Sequence, residues 1–117
     1  MTRRSGTLSI SEHELEGGGL LVELAGELDL ATAAGLRDVF AAAEDAGYER
    51  VIVDLSAVSA VDSTGLAVLV AVHKHLARSR GELIVVVENE LVASQLRVTS
   101  LDRLFTLCTS RDEALRR

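Results

Sequence analysis

The run Arg50-Val51-Ile52-Val53-Asp54-Leu55 constrains the fold more than any other part of the chain. Its apolar residues fall on consecutive positions, so a strand formed here buries both faces. That pattern belongs to a parallel sheet covered by helices, where no face of a central strand meets water. Leu83 to Val87 repeats the pattern further along. Between the two lies Leu66 to Leu76, long enough and apolar enough for a helix packed on such a sheet. Strand, helix and strand in this order predict a parallel crossover unit.

The flanking segments extend the alternation. Leu8, Ile10 and His13 alternate with polar residues and predict a first strand. Gly17-Gly18-Gly19 is a turn, and Leu20 to Ala25 a second strand, so the pair reads as a hairpin. Gly26-Glu27-Leu28-Asp29 leads into a helix from about Leu30 to Ala46. Its Leu36, Val39, Phe40 and Ala43 share one face, and Gly47 ends it. The second helix starts at Ser63 or Thr64 and runs to Ser79. Lys74, Arg78 and Arg80 at its end complement the helix dipole, and Gly81 stops it. Asn89 caps a third helix, Glu90 to Val98. Leu104 to Leu107 is a short last strand. Ser110 and Glu113 make a capping box for a short final helix. The order β-β-α-β-α-β-α-β-α predicts an α/β fold: a mixed β-sheet with an N-terminal hairpin followed by β-α repeats, and about four helices. A single domain is expected over 1–117, with its core at about 6–116.

Composition removes several functional classes. The 117 residues are 48% hydrophobic and 26% charged, with two Phe, one Tyr and no Trp. The core must be aliphatic, and no aromatic platform exists for stacking bases. A net charge of −6 repels nucleic-acid phosphates and anionic membranes. No apolar run approaches the ~20 residues of a membrane span. Arg3 and Arg4 have no apolar stretch behind them, so the start is not a secretory signal. Cys108, the one cysteine, makes neither a disulfide within the chain nor a cysteine metal site. His73 and His75 stand two apart on a helix and point away from each other, against a metal pair. No Walker A or dinucleotide fingerprint is present. The expectation is a cytoplasmic protein with no metal and no cofactor of its own.

Asp62-Ser63-Thr64-Gly65-Leu66 is the candidate site. It lies where a strand hands over to a helix, with unpaired N–H groups and a positive local field that suit an oxyanion or phosphate. Asp29, Asp54 and the Asp62-Ser63 turn all follow predicted strands, so they are expected to meet at one end of the fold. On local chemistry alone the simplest role for Asp62 or Ser63 is to cap the helix. Asp29 has the same bland alternative as cap of the first helix. A nucleophilic Ser63 would need a base, but His73 and His75 lie about 15 Å down the helix axis. The Gly-x-Ser-x-Gly elbow is also missing. Asp54 at a strand end is similar to a phospho-accepting receiver aspartate, yet the acidic pair and the lysine of such domains are absent. Gly65 in the first helical turn implies a close approach, either by a partner or by a neighbouring strand.

Taken together, Gly26-Glu27-Leu28-Asp29, Val51 to Ser56, Val61 to Leu66 and Leu96 to Phe105 resemble the anti-sigma factor antagonists of bacteria, single-domain members of the STAS group. The resemblance spans nearly the whole chain, and the Asp-Ser-Thr-Gly-Leu element is its specific part. It implies partner switching. The unphosphorylated antagonist binds an anti-sigma factor that is itself a serine kinase, and this frees the sigma factor. The kinase then phosphorylates the serine after the aspartate, which is Ser63, and a phosphoserine phosphatase restores it. Asp29, Asp54, Asp62, Thr64, Gly65 and Leu66 would support the site and meet the partner. ATP and Mg²⁺ would belong to the kinase, and the chain itself is not expected to be an enzyme. Ser100 departs from the glycine common in this group. A competing expectation is a non-switching STAS module, such as a subunit of a lipid-transport ATPase complex.

Overall fold

The computed structural model describes residues 2–117. Six strands, β1 (Thr2–Ser5), β2 (Leu8–Glu14), β3 (Leu20–Leu28), β4 (Arg50–Val61), β5 (Glu82–Val86) and β6 (Thr106–Cys108), form one sheet in chain order. The β1–β2 and β2–β3 pairs are antiparallel; β3–β4, β4–β5 and β5–β6 are parallel. The parallel connections carry α1 (Ala33–Ala46), α2 (Ser63–Arg78) and α3 (Glu90–Val98). A 3₁₀ turn at Leu101–Arg103 and a last helix, α4 (Arg111–Leu115), complete the chain.

Strand period explains the two faces. Val51, Val53 and Leu55 point to the side covered by α1, α2 and α3, into an aliphatic core with Leu36, Val39, Leu69, Val72, Val92 and Leu96. Ile52 points the other way, joining Leu21, Ile84, Val86, Cys108 and Ala114 beneath α4. The double-sided apolar reading of residues 51–55 and 83–87 therefore holds, with three helices on one face and a five-residue helix on the other.

Five elements differ from expectation. β1 precedes the expected first strand, and its Thr-Arg-Arg-Ser sequence has no apolar periodicity. It forms because its backbone pairs with β2. β3 reaches Leu28 and β4 reaches Val61, because the parallel ladder continues through Ala25↔Ala57 to Leu28↔Val61 after β5 has ended at Val86. There β4 has one neighbour, so only Val58 and Val61 point inward, and Ala57, Ser59 and Ala60 are exposed. α1 starts at Ala33 rather than near Leu30. β6 covers Thr106–Cys108 instead of Leu104 to Leu107. Gly26 has φ +113, and an added Cβ would stand 2.3 Å from the Thr7 carbonyl oxygen, so this step of β3 accepts only glycine. Ser100 adopts φ 61, the left-handed region, at the position where a glycine was expected.

Candidate functional site

The last parallel rung, Leu28↔Val61, delivers two chain segments to one end of the sheet. Asp29 follows the first and Asp62 the second. The Asp62 N–H donates to the Leu28 carbonyl at 3.0 Å, joining them. Asp62 is in extended conformation and is the N-cap of α2; one carboxylate oxygen accepts from the Gly65 N–H at 3.0 Å. The other accepts from the Leu30 N–H at 3.1 Å. One side chain thus ties the start of α2 to the turn after β3.

Asp29 builds that turn. Its Oδ1 accepts from the N–H groups of Ala31 (3.0 Å) and Thr32 (3.1 Å). The buried Thr32 hydroxyl donates to the Glu27 carbonyl at 2.8 Å. Thr32, not Asp29, holds the N-cap position of α1. Asp29 is a turn-former, and this is why the helix begins three residues late.

Ser63 is the first residue of α2 and is exposed. Asp62 does the capping, so the Ser63 hydroxyl is left without a hydrogen-bond partner among the described residues. Thr64 is half-buried, Gly65 and Leu66 buried. A Cβ on Gly65 would lie 2.6 Å from Leu28 Cγ and 2.9 Å from the Leu28 carbonyl oxygen. Of the two readings of Gly65, close packing against the neighbouring strand is the one observed.

Asp54 does not join this end. Its expected position depended on a strand ending at Leu55, but β4 continues to Val61. Asp54 is 6% exposed and lies on the α4 side of the sheet. Its Oδ2 accepts from Arg111 Nε (3.1 Å) and Nη2 (2.9 Å), and its Oδ1 from the Ser56 N–H (2.9 Å). Glu23 pairs with the same guanidinium. Burial pushes the Asp54 carboxyl up, but hydrogen bonding from Ser56 and the Arg111 charge outweigh it and hold the group below the usual range. Asp54 anchors α4.

The histidines are all placed elsewhere. His73 meets the Phe105 ring edge-on at a centroid distance of 6.0 Å. His75 faces Glu44 of α1 at 3.8 Å, and His13 lies 2.7 Å from Glu23. No imidazole reaches Ser63, so general-base activation of this serine has no candidate. Among the described residues no group of three His, Cys, Asp or Glu side chains is arranged to hold a metal ion, and no helix is long and apolar enough to cross a membrane.

A groove of about 320 Å³ runs from Ser63 between α2 and α3, lined by Leu66, Leu91, Gln95 and Val98 among others. Gln95 Nε2 donates to the Val61 carbonyl at 2.5 Å, and Asn89 Nδ2 to that of Val58 at 3.2 Å. These bonds fix α3 along the free edge of β4. The sequence reading missed α3 as a wall of the site. The available signal was its second apolar stripe: Val92 and Leu96 face the core, while Leu91 and Val98 lie off that line.

The family model described as STAS domain matches residues 11–114. The anti-sigma-F factor antagonist RsfB of Mycobacterium tuberculosis is 28% identical over 109 residues, covering 93% of this chain and 86% of that protein. A Bordetella bronchiseptica protein, provisionally described as anti-sigma factor antagonist BtrV, is 31% identical over 97 residues, 83% of this chain and 84% of its own. The crystal structure of an anti-sigma factor antagonist from Mycobacterium paratuberculosis matches with a TM-score of 0.87 at 27% identity, over 97% of this chain and 95% of that one.

Proposed function

Because the chain belongs to the STAS domain family, among the anti-sigma factor antagonists, we propose that it works by partner switching at Ser63. In the unphosphorylated form it binds an anti-sigma factor with serine kinase activity and so releases a sigma factor. The kinase transfers the γ-phosphoryl group of ATP to Ser63 Oγ: the new P–O bond forms as the bond to the β-phosphate oxygen breaks. ADP leaves, and the hydroxyl proton passes to the kinase or to solvent. Hydrolysis by a phosphoserine phosphatase returns the starting state. The chain is the substrate of this chemistry rather than its catalyst.

The observation that carries the proposal is the division of labour between neighbours. Asp62 caps α2, so the exposed Ser63 hydroxyl has no structural duty and is free to accept a phosphoryl group. The modification adds about −1.5 to −2 charge beside Asp62. At about 5 Å and an effective dielectric near 20, repulsion amounts to about 3 kcal/mol per unit-charge pair. The positive end of α2 offsets up to about 1–2 kcal/mol of that. A solvated surface tolerates the remainder. A dry interface does not, because the dianion would have to lose its water without a counter-charge.

The test is incubation with kinase-type anti-sigma factors and ATP, followed by mass spectrometry. Phosphate on Ser63, absent in Ser63→Ala, and loss of binding in Ser63→Asp are the expected results. No phosphate uptake with a partner that binds would instead favour a non-switching STAS module.

A further inference from the structure

We propose that Thr32 is a positioning residue for Ser63, and that the N-terminal strand β1 fixes Thr32 through Ser5. Thr32 acts through the Asp29 turn and the Asp62 carboxylate. The inference rests on the Ser63 reading above and extends it to a strand remote from the serine in sequence.

Two polar side chains are buried among the described residues, Asp54 and Thr32. Asp54 anchors α4. A valine has nearly the shape of Thr32, so what the threonine adds is its hydroxyl and the bonds that hydroxyl makes. The oxygen accepts from the Asp29 N–H at 3.0 Å and donates to the Glu27 carbonyl at 2.8 Å. The Thr32 N–H donates to the Asp29 carboxylate at 3.1 Å. These bonds close the turn that carries the Leu30 N–H, the donor to Asp62 Oδ2. The other Asp62 oxygen holds the Gly65 N–H, and Ser63 lies between those two residues. Leu30 and Asp62 are both exposed, so their bond competes with water. It persists where the donor is placed in advance, and Thr32 places it.

The connections continue away from the site. Ser5 Oγ, at the end of β1, donates to the Thr32 carbonyl at 3.0 Å. A Cβ on Gly35 would lie 2.3 Å from Ser5 Cβ, and one on Gly6 would lie 3.2 Å from Thr32 Cγ2. Glycines thus stand where β1 meets the start of α1, and they permit the close approach that the Ser5 bond needs. β1 lies ahead of residues 11–114, so this clasp is a feature of the structure and not of the family match.

Phosphoryl transfer needs the acceptor oxygen in line with the bond that breaks in ATP, and a misplacement of about 1 Å costs up to about 100-fold. A loosened Asp29 turn frees Asp62, and with it the first turn of α2. Thr32 itself is buried and adds nothing to the surface a kinase meets. Its loss should therefore act on turnover and not on KM.

The experiment compares Thr32→Val, Thr32→Ser and Ser5→Ala with wild type in the full-length chain, below the melting transition of each. Amide hydrogen exchange by NMR reads the Leu30 N–H, and steady-state phosphorylation of Ser63 by a kinase-type anti-sigma factor reads kcat and KM. Thr32→Val is expected to speed Leu30 exchange and lower kcat about tenfold, with KM within about twofold of wild type. Thr32→Ser keeps the hydroxyl and should restore both; Ser5→Ala should shift both in the direction of Thr32→Val, by less. A purely structural Thr32 would lower the melting temperature and leave kcat of the folded chain unchanged. That result, with Ser63 still phosphorylated, overturns the positioning role and leaves the switch standing. If Thr32→Val does not fold, Ser5→Ala decides by the same two readouts. If wild type takes up no phosphate on Ser63, the switch falls, and Leu30 exchange alone decides whether Thr32 holds the Asp62 turn.

Discussion

Asp62 satisfies two N–H groups from different segments with its two carboxylate oxygens, and this makes it the hinge residue of the site. Asp62→Ala removes the α2 cap and leaves the Leu30 N–H without its acceptor. The expected loss is about 1–2 kcal/mol in urea denaturation. Asp62→Asn, which keeps one oxygen for Gly65, should lose less. At Gly65 two effects oppose each other. Helix propensity alone predicts that Gly65→Ala gains about 1 kcal/mol. Against this, the new methyl would lie 2.9 Å from the Leu28 carbonyl oxygen, which is fixed by its bond from the Asp62 N–H. Overpacking of this kind typically costs 1–3 kcal/mol, and the obstructing group is backbone and cannot swing aside. Gly65→Ala should therefore destabilise the protein by about 1–2 kcal/mol, measured the same way. A gain would show that α2 slides freely over β3.

At the scale of elements, α4 is held by two arginines more than by its own length. Arg50 donates to the carbonyls of Ala114 (2.6 Å) and Arg117 (2.9 Å), and Arg111 reaches back to Asp54 and Glu23. A helix of five residues does not persist unaided in water. Arg111→Ala leaves the buried Asp54 charge with only its Ser56 bond, at an expected cost of about 1–3 kcal/mol. The pH dependence follows from the same pair. Asp54 has a folded pKa held below its unfolded value, so its contribution is complete above the ordinary carboxylate pKa of about 3.9. That contribution is lost as pH falls through the lower folded value. Wild type should therefore lose stability relative to Asp54→Asn as pH drops through this window, in denaturant melts run from pH 7 downward. Parallel curves for the two proteins would show that the ion pair contributes nothing.

At the scale of the whole molecule, the proposed switch needs no change of fold. Ser63 projects from the surface, and the aliphatic core lies on the other side of Leu66 and Val68. The phosphorylated chain should keep its far-UV circular dichroism and fail only in binding. A large loss of helical signal on phosphorylation would mean that the charge acts through unfolding. The net charge of −6 adds a long-range component. It would steer a basic partner face toward the chain, and added salt would screen that steering.

Local pattern was enough to read the sheet and its helices. Consecutive apolar residues at 51–55 and 83–87 demand cover on both faces, glycines and caps mark the ends of helices, and a strand–helix junction draws attention to Ser63 whatever surrounds it. These signals act within a few residues, so periodicity carries them. What the tertiary structure alone decided depended on partners distant in sequence. β1 exists because β2 pairs with it, and β4 extends to Val61 because β3 runs alongside. That extension separated Asp54 from Asp62 and gave Asp54 to α4 through Arg111, a residue 57 positions away. It also brought α3 against the end of β4 through Gln95, adding Leu91 and Val98 to the surroundings of Ser63. Ser63, the proposed acceptor, stood out in the sequence because a strand–helix junction is a local feature; the surface around it did not, because three separate segments build it.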